Sequence, residues 1–312
     1  MRLDLSDLRL FVNVVEAGSV THGATRTHLS VASVSARITN MEQSVGSPLL
    51  VRSRVGVKPT ELGRALLHHA HTLLRQANHM NDDLQAYGHR LQGYVKICCN
   101  TTALGEYLPA PLVSFLADYP TVNVTIEELL SFEIVKAVEE GSTDIGIVSG
   151  PVDVKDLEAI PFRSGRWVVI AAHGSALGKR RSTTFAEVLD HELVGLGRGI
   201  GVQAMLEDEA RTMGRPLRQR VQVRNFYAIG HLVSQGVGIG VVPAPVARRL
   251  ESSMPLRIIA LKDKWARQDM RICVRGRDEL SLPARHLLQY LEARIDAMDV
   301  SLTLPPKNVL LS

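Results

Sequence analysis

Cysteine is scarce in this sequence: Cys98, Cys99 and Cys273 are the only three in 312 residues. Each falls in an apolar, strand-like run, where a small buried side chain is the expected role. An odd count without a pairing pattern fits a reducing cytoplasm, not a secreted disulfide framework. No apolar run approaches the ~20 residues of a membrane span. The opening Met1-Arg2-Leu3-Asp4-Leu5-Ser6-Asp7 lacks the apolar core of a signal peptide. A Walker loop, a Gly-x-Ser-x-Gly elbow and a His-Glu-x-x-His motif are all missing. Gly199-x-Gly201-x-x-Ala204 comes near a dinucleotide fingerprint, but Arg224 and Asn225 stand where its acidic residue belongs. That substitution argues against NAD. The expectation is a chain with no catalytic residues and no cofactor. Its 45% apolar and 22% charged residues are ordinary for a soluble protein of two or three domains.

What is present is a local excess of positive charge. Between residues 21 and 60, Arg26, Arg37, Arg52, Arg54 and Lys58 face Glu42 alone, while the whole chain carries only +4. A phosphate backbone selects such a patch, although a solvated basic face has the same composition. The patch surrounds a helical pattern. Ser30 is a good N-cap, Val34, Ile38, Met41 and Val45 recur at spacings of four, three and four, and Gly46 stands where a left-handed residue ends a helix. The other face shows Ser33, Ala36, Arg37 and Asn40, short or polar enough to enter a DNA major groove.

The flanks complete a helix-turn-helix with a wing. A first helix is expected over 6–17, with Leu8, Phe11, Val14 and Val15 as its stripe, and a short second helix capped by Thr21. After the third come two extended runs, 49–52 and 55–58, a ribbon carrying Arg52, Arg54 and Lys58 toward DNA backbone. The candidate DNA contacts are Thr21, Ser30, Val31, Ala32, Ser33, Ser35, Arg37, Asn40, Arg52, Arg54 and Lys58.

Thr60 then caps a long helix in which Leu66, Ala70, Leu73, Ala77, Met80, Leu84, Tyr87 and Leu91 alternate spacings of four and three. A mean period of 3.5 is that of a coiled-coil seam. No other segment offers matching heptads, so a second copy of the chain is the economical partner. His68 and His71 are spaced for a shared metal, but no nearby cysteine or carboxylate completes four ligands, so solvated positions and no metal are expected.

Beyond Gly93, strands are expected at 94–99, 122–127, 144–149, 167–172, 192–195, 221–224, 238–242 and 271–274. Helices are expected near 106–118, 132–140, 202–213, 226–234 and 282–298. Such alternation implies parallel sheets covered by helices, and its length implies two lobes with a ligand cleft between them. Thr101, Thr102, Ser131, Ser149 and the loop Arg198, Gly199, Ile200, Gly201 fall at strand ends or helix starts, where hydroxyls and free N–H groups suit an anion. Ordinary caps would look the same singly. Phe226 and Val242 are expected to add an apolar wall.

These residues resemble the LysR-type transcriptional regulators over nearly the whole chain. The likeness rests on Asp7-Leu8-Arg9-Leu10-Phe11, Glu16-Ala17-Gly18-Ser19, Ser35-x-x-Ile38, Glu42, Leu49-Leu50-x-Arg52 and Thr60-Glu61-x-Gly63. Later it rests on Phe115-x-x-x-Tyr119-Pro120, Glu140-Gly141-x-x-Asp144-Ile145-Gly146-Ile147 and Gly236-Val237-Gly238-Ile239-Gly240-Val241-Val242-Pro243. The resemblance implies an α/β protein with an N-terminal all-α winged helix-turn-helix domain (1–60) and a dimerising linker helix (61–91). It implies next a two-lobed effector domain of mixed sheets like periplasmic binding proteins (93–300), and 301–312 remain as a tail. Lobe I would take about 93–162 and 268–300, lobe II about 163–267. It further implies a cytoplasmic homodimer or homotetramer binding promoter DNA and a small, anionic coinducer, with RNA polymerase as a possible further partner and no membrane. Thr102 matches a family ligand position. Where the family carries Gln-Pro and often Arg in the reading helix, this chain has Val31, Ala32 and Ala36, so two hydrogen-bonding readers are lost, while Val31 and Ala32 can still touch a thymine methyl and Ser35 can still donate. A solute-binding protein of the same lobed fold would lack the basic helical domain and need an export signal.

Overall fold

The computed structural model describes residues 3–53, 56–86, 91–197 and 201–293. Helices α1 (Leu5–Glu16), α2 (Val20–Thr27) and α3 (Val31–Val45) pack through Leu10, Phe11, Val14, Ala24, Val34, Ile38 and Met41. Helix α1 starts at a reciprocal Asp4–Asp7 capping box. The cap of α2 is Ser19, whose Oγ accepts from His22 N at 3.4 Å, and not the expected Thr21. His28 closes α2 with a left-handed φ of 54°, and two residues later Ser30 caps α3 as expected. Strands β1 (Leu50–Ser53) and β2 (Gly56–Pro59) form the antiparallel wing. Glu42 fastens it, its Oε1 accepting from Leu49 N at 2.8 Å and Leu50 N at 3.1 Å. The linker helix α4 (Glu61–Ala86) is capped by Thr60, which accepts from Gly63 N at 2.9 Å.

The first part of the larger domain runs β3 (Gly93–Cys99), a π-helical turn (Ala103–Tyr107), α5 (Pro109–Asp118), β4 (Val122–Glu128), α6 (Ser131–Glu139) and β5 (Ile145–Ser149). Strand β6 (Glu158–Ala172) then crosses to a second lobe. That lobe contains β7 (Ser182–Thr183), α7 (Phe185–Val188), β8 (Leu193–Leu196), α8 (Gly201–Thr212), β9 (Gln219–Val223), α9 (Phe226–Ser234), β10 (Gly240–Pro243), α10 (Ala244–Glu251) and β11 (Leu256–Leu261). The chain returns through β12 (Arg267–Val274) and α11 (Leu282–Glu292). The order in the first lobe is β4-β3-β5-β12-β6, parallel among β4, β3 and β5 but antiparallel where β12 meets β5 and β6. The sheets are therefore mixed, because the two strands that join the lobes run in opposite directions. One core is built on Ile97, Phe115, Ile145, Phe162 and Leu288, the other on Ile170, Phe185, Leu196, Val233 and Val242.

Periodicity marks only 167–172 of β6 as strand, whereas the strand starts at Glu158. The part before Trp167 carries Arg163, Ser164 and Arg166 at the crossing between lobes, where a strand needs no apolar alternation. Helix α10 was hidden behind Pro243-Ala244-Pro245, a sequence that reads as loop but suits a helix start, where proline has no N–H to lose. Strand β11 between α10 and the crossing is likewise unforeseen, as are the short β7 and α7.

Candidate nucleic-acid interface and effector cleft

Helix α3 buries Val34, Ile38 and Met41 and leaves Val31, Ala32, Ser33, Ala36 and Asn40 exposed, with Ser35 half-buried. Thr21 is exposed in the first turn of α2, and Ser30 is exposed but occupied as the cap of α3. Arg37 is differently placed from a base reader: its Nε and Nη2 lie 2.9 Å and 2.6 Å from Asp7 Oδ1, and Asp4 is 3.7 Å away. The guanidinium ties α3 to the start of α1. On the wing, Val51 pairs with Lys58 and Arg52 with Val57, so Arg52 and Lys58 are exposed on opposite faces of the ribbon. Arg54 lies outside the described residues.

The seam divides three ways. Leu66 and Ala70 pack against Leu8 and Val12 of α1 in the same chain. Leu91, past the end of α4, joins the core of the first lobe. Leu73, Met80 and Leu84 stand 52%, 56% and 64% exposed, with Ala77 half-buried among them, and Tyr87 is outside the described residues. A free apolar stripe thus begins where the contact with α1 ends. His68 and His69 are exposed, but His71 turns inward, 8% exposed, with Nε2 3.5 Å from Glu16, contrary to the solvated position expected. Among the described residues no three His, Cys, Asp or Glu side chains cluster for a metal.

Between the lobes, three loops of the first lobe converge. Asn100 accepts from Ala103 N at 2.9 Å and donates to Ser149 Oγ at 3.1 Å. Ser131 exchanges bonds with the backbone of Ser149 at 3.2 Å in both directions. Thr101 donates to Glu128, so the Thr101 and Ser131 hydroxyls are committed to the protein. Thr102 is buried and leads into the π-helical turn, a form that recurs at functional sites. Across the cleft, Leu130 Cδ2 lies 3.4 Å from where a β-carbon on Gly201 would stand, so the α8 start faces the α6 start. Arg198, Gly199 and Ile200 lie outside the described residues. Phe226 and Val242 belong to the core of the second lobe, Val242 wholly buried, and do not form the expected apolar wall. Sequence reasoning missed Arg163, which is buried at the crossing with its guanidinium 4.6 Å from the Phe162 ring and 5.8 Å from that of Tyr107. It also missed the pair Arg249–Glu106, 2.7 Å apart, which joins α10 to the π-helical turn across the lobes.

A second feature had no local signal. A groove of about 570 Å³ between α1, α4 and the first lobe is lined by Glu16, His71, Arg75, Lys96 and Asp144, among others. Glu279 lies 2.9 Å from Arg275 and 3.8 Å from Arg75. Burial lifts the Asp144 carboxyl above its usual range, more than the Lys96 N–H at 2.8 Å and the cations of Arg75, Arg275 and Lys96 pull it down. Burial also opposes the charge on Glu16, yet His71, Lys96 and Arg26 hold its pKa below the usual range. Gly141, with φ 69°, makes room: a β-carbon there would lie 2.2 Å from Arg75 Nη1 and 2.8 Å from Arg275 Nη1. The charges come from positions 16 to 279, so only folding assembles them.

The three thiols are buried in β3 and β12, as expected. Burial pushes Cys99 up to about 12 and Cys273 up to about 11, and raises Cys98 too. Thiols so rarely ionised are poor nucleophiles.

Two family models match the chain. Residues 5–64 match the bacterial regulatory helix-turn-helix protein, lysR family, and residues 88–296 match the LysR substrate binding domain. The HTH-type transcriptional regulator CysL of Bacillus subtilis (strain 168) is 25% identical over 243 residues, covering 78% of this chain and 81% of that protein. A full-length OxyR variant from Pseudomonas aeruginosa superposes with a TM-score of 0.69 at 20% identity, over 95% of each chain. Full-length CbnR in complex with its target DNA gives 0.60 at 18% identity, over 93% of this chain and 99% of that one. At these identities the structural likeness concerns the fold.

Proposed function

The chain belongs to the LysR family of bacterial helix-turn-helix regulators, and on that premise we propose that it is a transcriptional regulator that binds promoter DNA and responds to a small organic anion held between its lobes. The observation that carries the reading is the two-sided α3, buried through Val34, Ile38 and Met41 and otherwise presented outward beside a ribbon bearing Arg52 and Lys58. In this reading residues 1–60 read DNA, 61–91 pair two copies, and 93–300 take the effector. The protein works in the cytoplasm, is not an enzyme, and meets RNA polymerase at the promoter. No described helix is long and apolar enough to cross a membrane. Ligand must bind one lobe arrangement more tightly than the other, since equal affinity shifts nothing. A rigid-body change of this kind alters how two DNA-binding heads sit on a bent site. Recovery and sequencing of DNA fragments bound by the protein tests the reading; fragments with no common sequence would overturn it.

Arg52→Ala and Lys58→Ala are expected to weaken binding to all duplexes alike and each to lower the salt slope of log K by about one. Because the two project from opposite faces, a slope that falls for only one shows which face meets the phosphates. In the cleft, Thr102→Val removes a hydroxyl at nearly constant volume. Loss of one hydrogen bond to an anion costs about 1.5–3 kcal/mol, a drop of roughly ten- to a hundredfold in affinity. A thermal-shift screen of carboxylate and phosphate metabolites on both proteins, followed by footprinting, reads this out. Equal shifts in wild type and variant, with an unchanged footprint, place the effector elsewhere.

A further inference from the structure

Resting on the DNA-binding reading above, the question is which chemistry α3 has left for bases. Its only cation, Arg37, is spent on Asp7. The Ser30 and Ser33 hydroxyls lie 2.9 Å from each other, and Ser30 Oγ also accepts from Ser33 N at 3.1 Å. One turn on, the Thr39 hydroxyl donates to Ser35 O at 3.0 Å. The N-terminal turns, which a reading helix points at base edges, therefore present the carbon of Val31, Ala32 and Ala36 beside the half-buried Ser35 hydroxyl. Val31 is 44% exposed, although it sits in the first turn of a capped helix with a core directly behind it, and Ala32 and Ala36, one turn apart, are exposed too.

We infer that α3 selects its sites through methyl groups on the major-groove edge, the C5-methyl carried by thymine or by 5-methylcytosine, which Val31, Ala32 and Ala36 cover. Thymine is the one ordinary base with such a group in that groove, and the exposed methyls of Val31, Ala32 and Ala36 give it apolar contact. Cytosine methylated at C5 offers the same group at the same place. Arginine or glutamine readers discriminate by paired hydrogen bonds; this surface discriminates by burying one carbon. Each methyl covered is worth about a fourfold gain in affinity, the factor that corresponds to burying one methylene-sized group. A site read by two heads gains roughly fifteenfold from one methyl in each half.

The test uses the full chain and random-sequence duplexes. Selection from a library made with thymidine is expected to enrich thymine at one or two positions per half-site. Resynthesis of the recovered duplexes with deoxyuridine at those positions is expected to lower affinity about fourfold each. Placing 5-methylcytosine there should restore most of the loss while unmethylated cytosine does not; recovery with thymine alone confines the handle to A·T pairs. Val31→Ala, at a position 44% exposed, should bring the thymine-to-uracil ratio at one position toward one. Val31→Gln should move the preference there toward adenine. Thymine and uracil duplexes bound within twofold of each other at every enriched position would overturn the inference while leaving DNA binding in place. A library that yields no enriched sequence would overturn the DNA-binding reading and this inference together.

Discussion

Leu73→Asp and Leu84→Asp are each expected to reduce the mass of the protein in solution to that of one chain and to abolish tight binding to a two-fold DNA site. Both leucines are more than half exposed in the protomer, so a carboxylate there costs the isolated chain almost nothing. In a paired helix the same carboxylate is buried in an apolar seam, without a cation to meet it. An uncompensated buried charge costs about 3–5 kcal/mol, which weakens the pairing constant by roughly a hundred- to several-thousandfold. The loss of DNA binding follows because one head alone holds half the phosphate contacts. Leu66→Asp is the contrasting variant. Leu66 packs on the head of its own chain, so its substitution should unfold the head along with any loss of pairing. Light scattering and circular dichroism on the three variants separate the two causes. Unchanged mass for Leu73→Asp and Leu84→Asp would show that copies meet elsewhere.

Gly63→Ala is expected to destabilise the DNA-binding head by about 1–2 kcal/mol, although alanine is the better helix former. Gly63 lies in the first turn of α4, where its N–H is held by Thr60. A β-carbon would stand 2.0 Å from Leu49 O and 3.2 Å from Pro59 Cβ. Leu49 O cannot retreat, because it accepts from Thr60 N at 3.0 Å and Leu49 N is itself bound to Glu42. Helix propensity favours the alanine by about 1 kcal/mol, while overpacking against fixed backbone costs about 1–3 kcal/mol and sometimes more. The clash is the larger effect. In a head of some sixty residues each kcal/mol moves the midpoint by about 4–8 °C, so thermal denaturation should show a fall of roughly 4–16 °C. A rise in Tm would mean that α4 does not approach the wing this closely. The result would give a physical reason for the glycine in Thr60-Glu61-x-Gly63, where the motif alone supplies none.

Much of the head was legible because its determinants are local. The Ser30 cap, the four-three-four stripe through Val34, Ile38 and Met41, the left-handed Gly46 and the Thr60 cap each act within a few residues. Position 19 in place of 21 as the cap of α2 is a small miss of the same local kind, since Ser19 and Thr21 are both cap-forming residues. The two lobes were legible as alternation, and the converging loops at Asn100, Ser131 and Ser149 followed from strand ends alone.

Three things were settled by partners far away in the chain. Heptad spacing makes Leu66, Ala70, Leu73 and Leu84 look equivalent, but contact with Leu8 and Val12 takes the first two for the chain's own core. Arg37 looks like a DNA contact until Asp7, thirty positions earlier, is folded against it. Phe226 and Val242 look like a cleft wall until the sheet of the second lobe closes over them. A sequence fixes which face of an element is apolar, because that depends on neighbours three or four residues away. Whether that face is covered by the same chain, by a second copy or by a ligand depends on contacts that form only when distant segments meet, and the groove joining Glu16, His71, Arg75, Lys96 and Asp144 exists on no shorter scale than the whole fold.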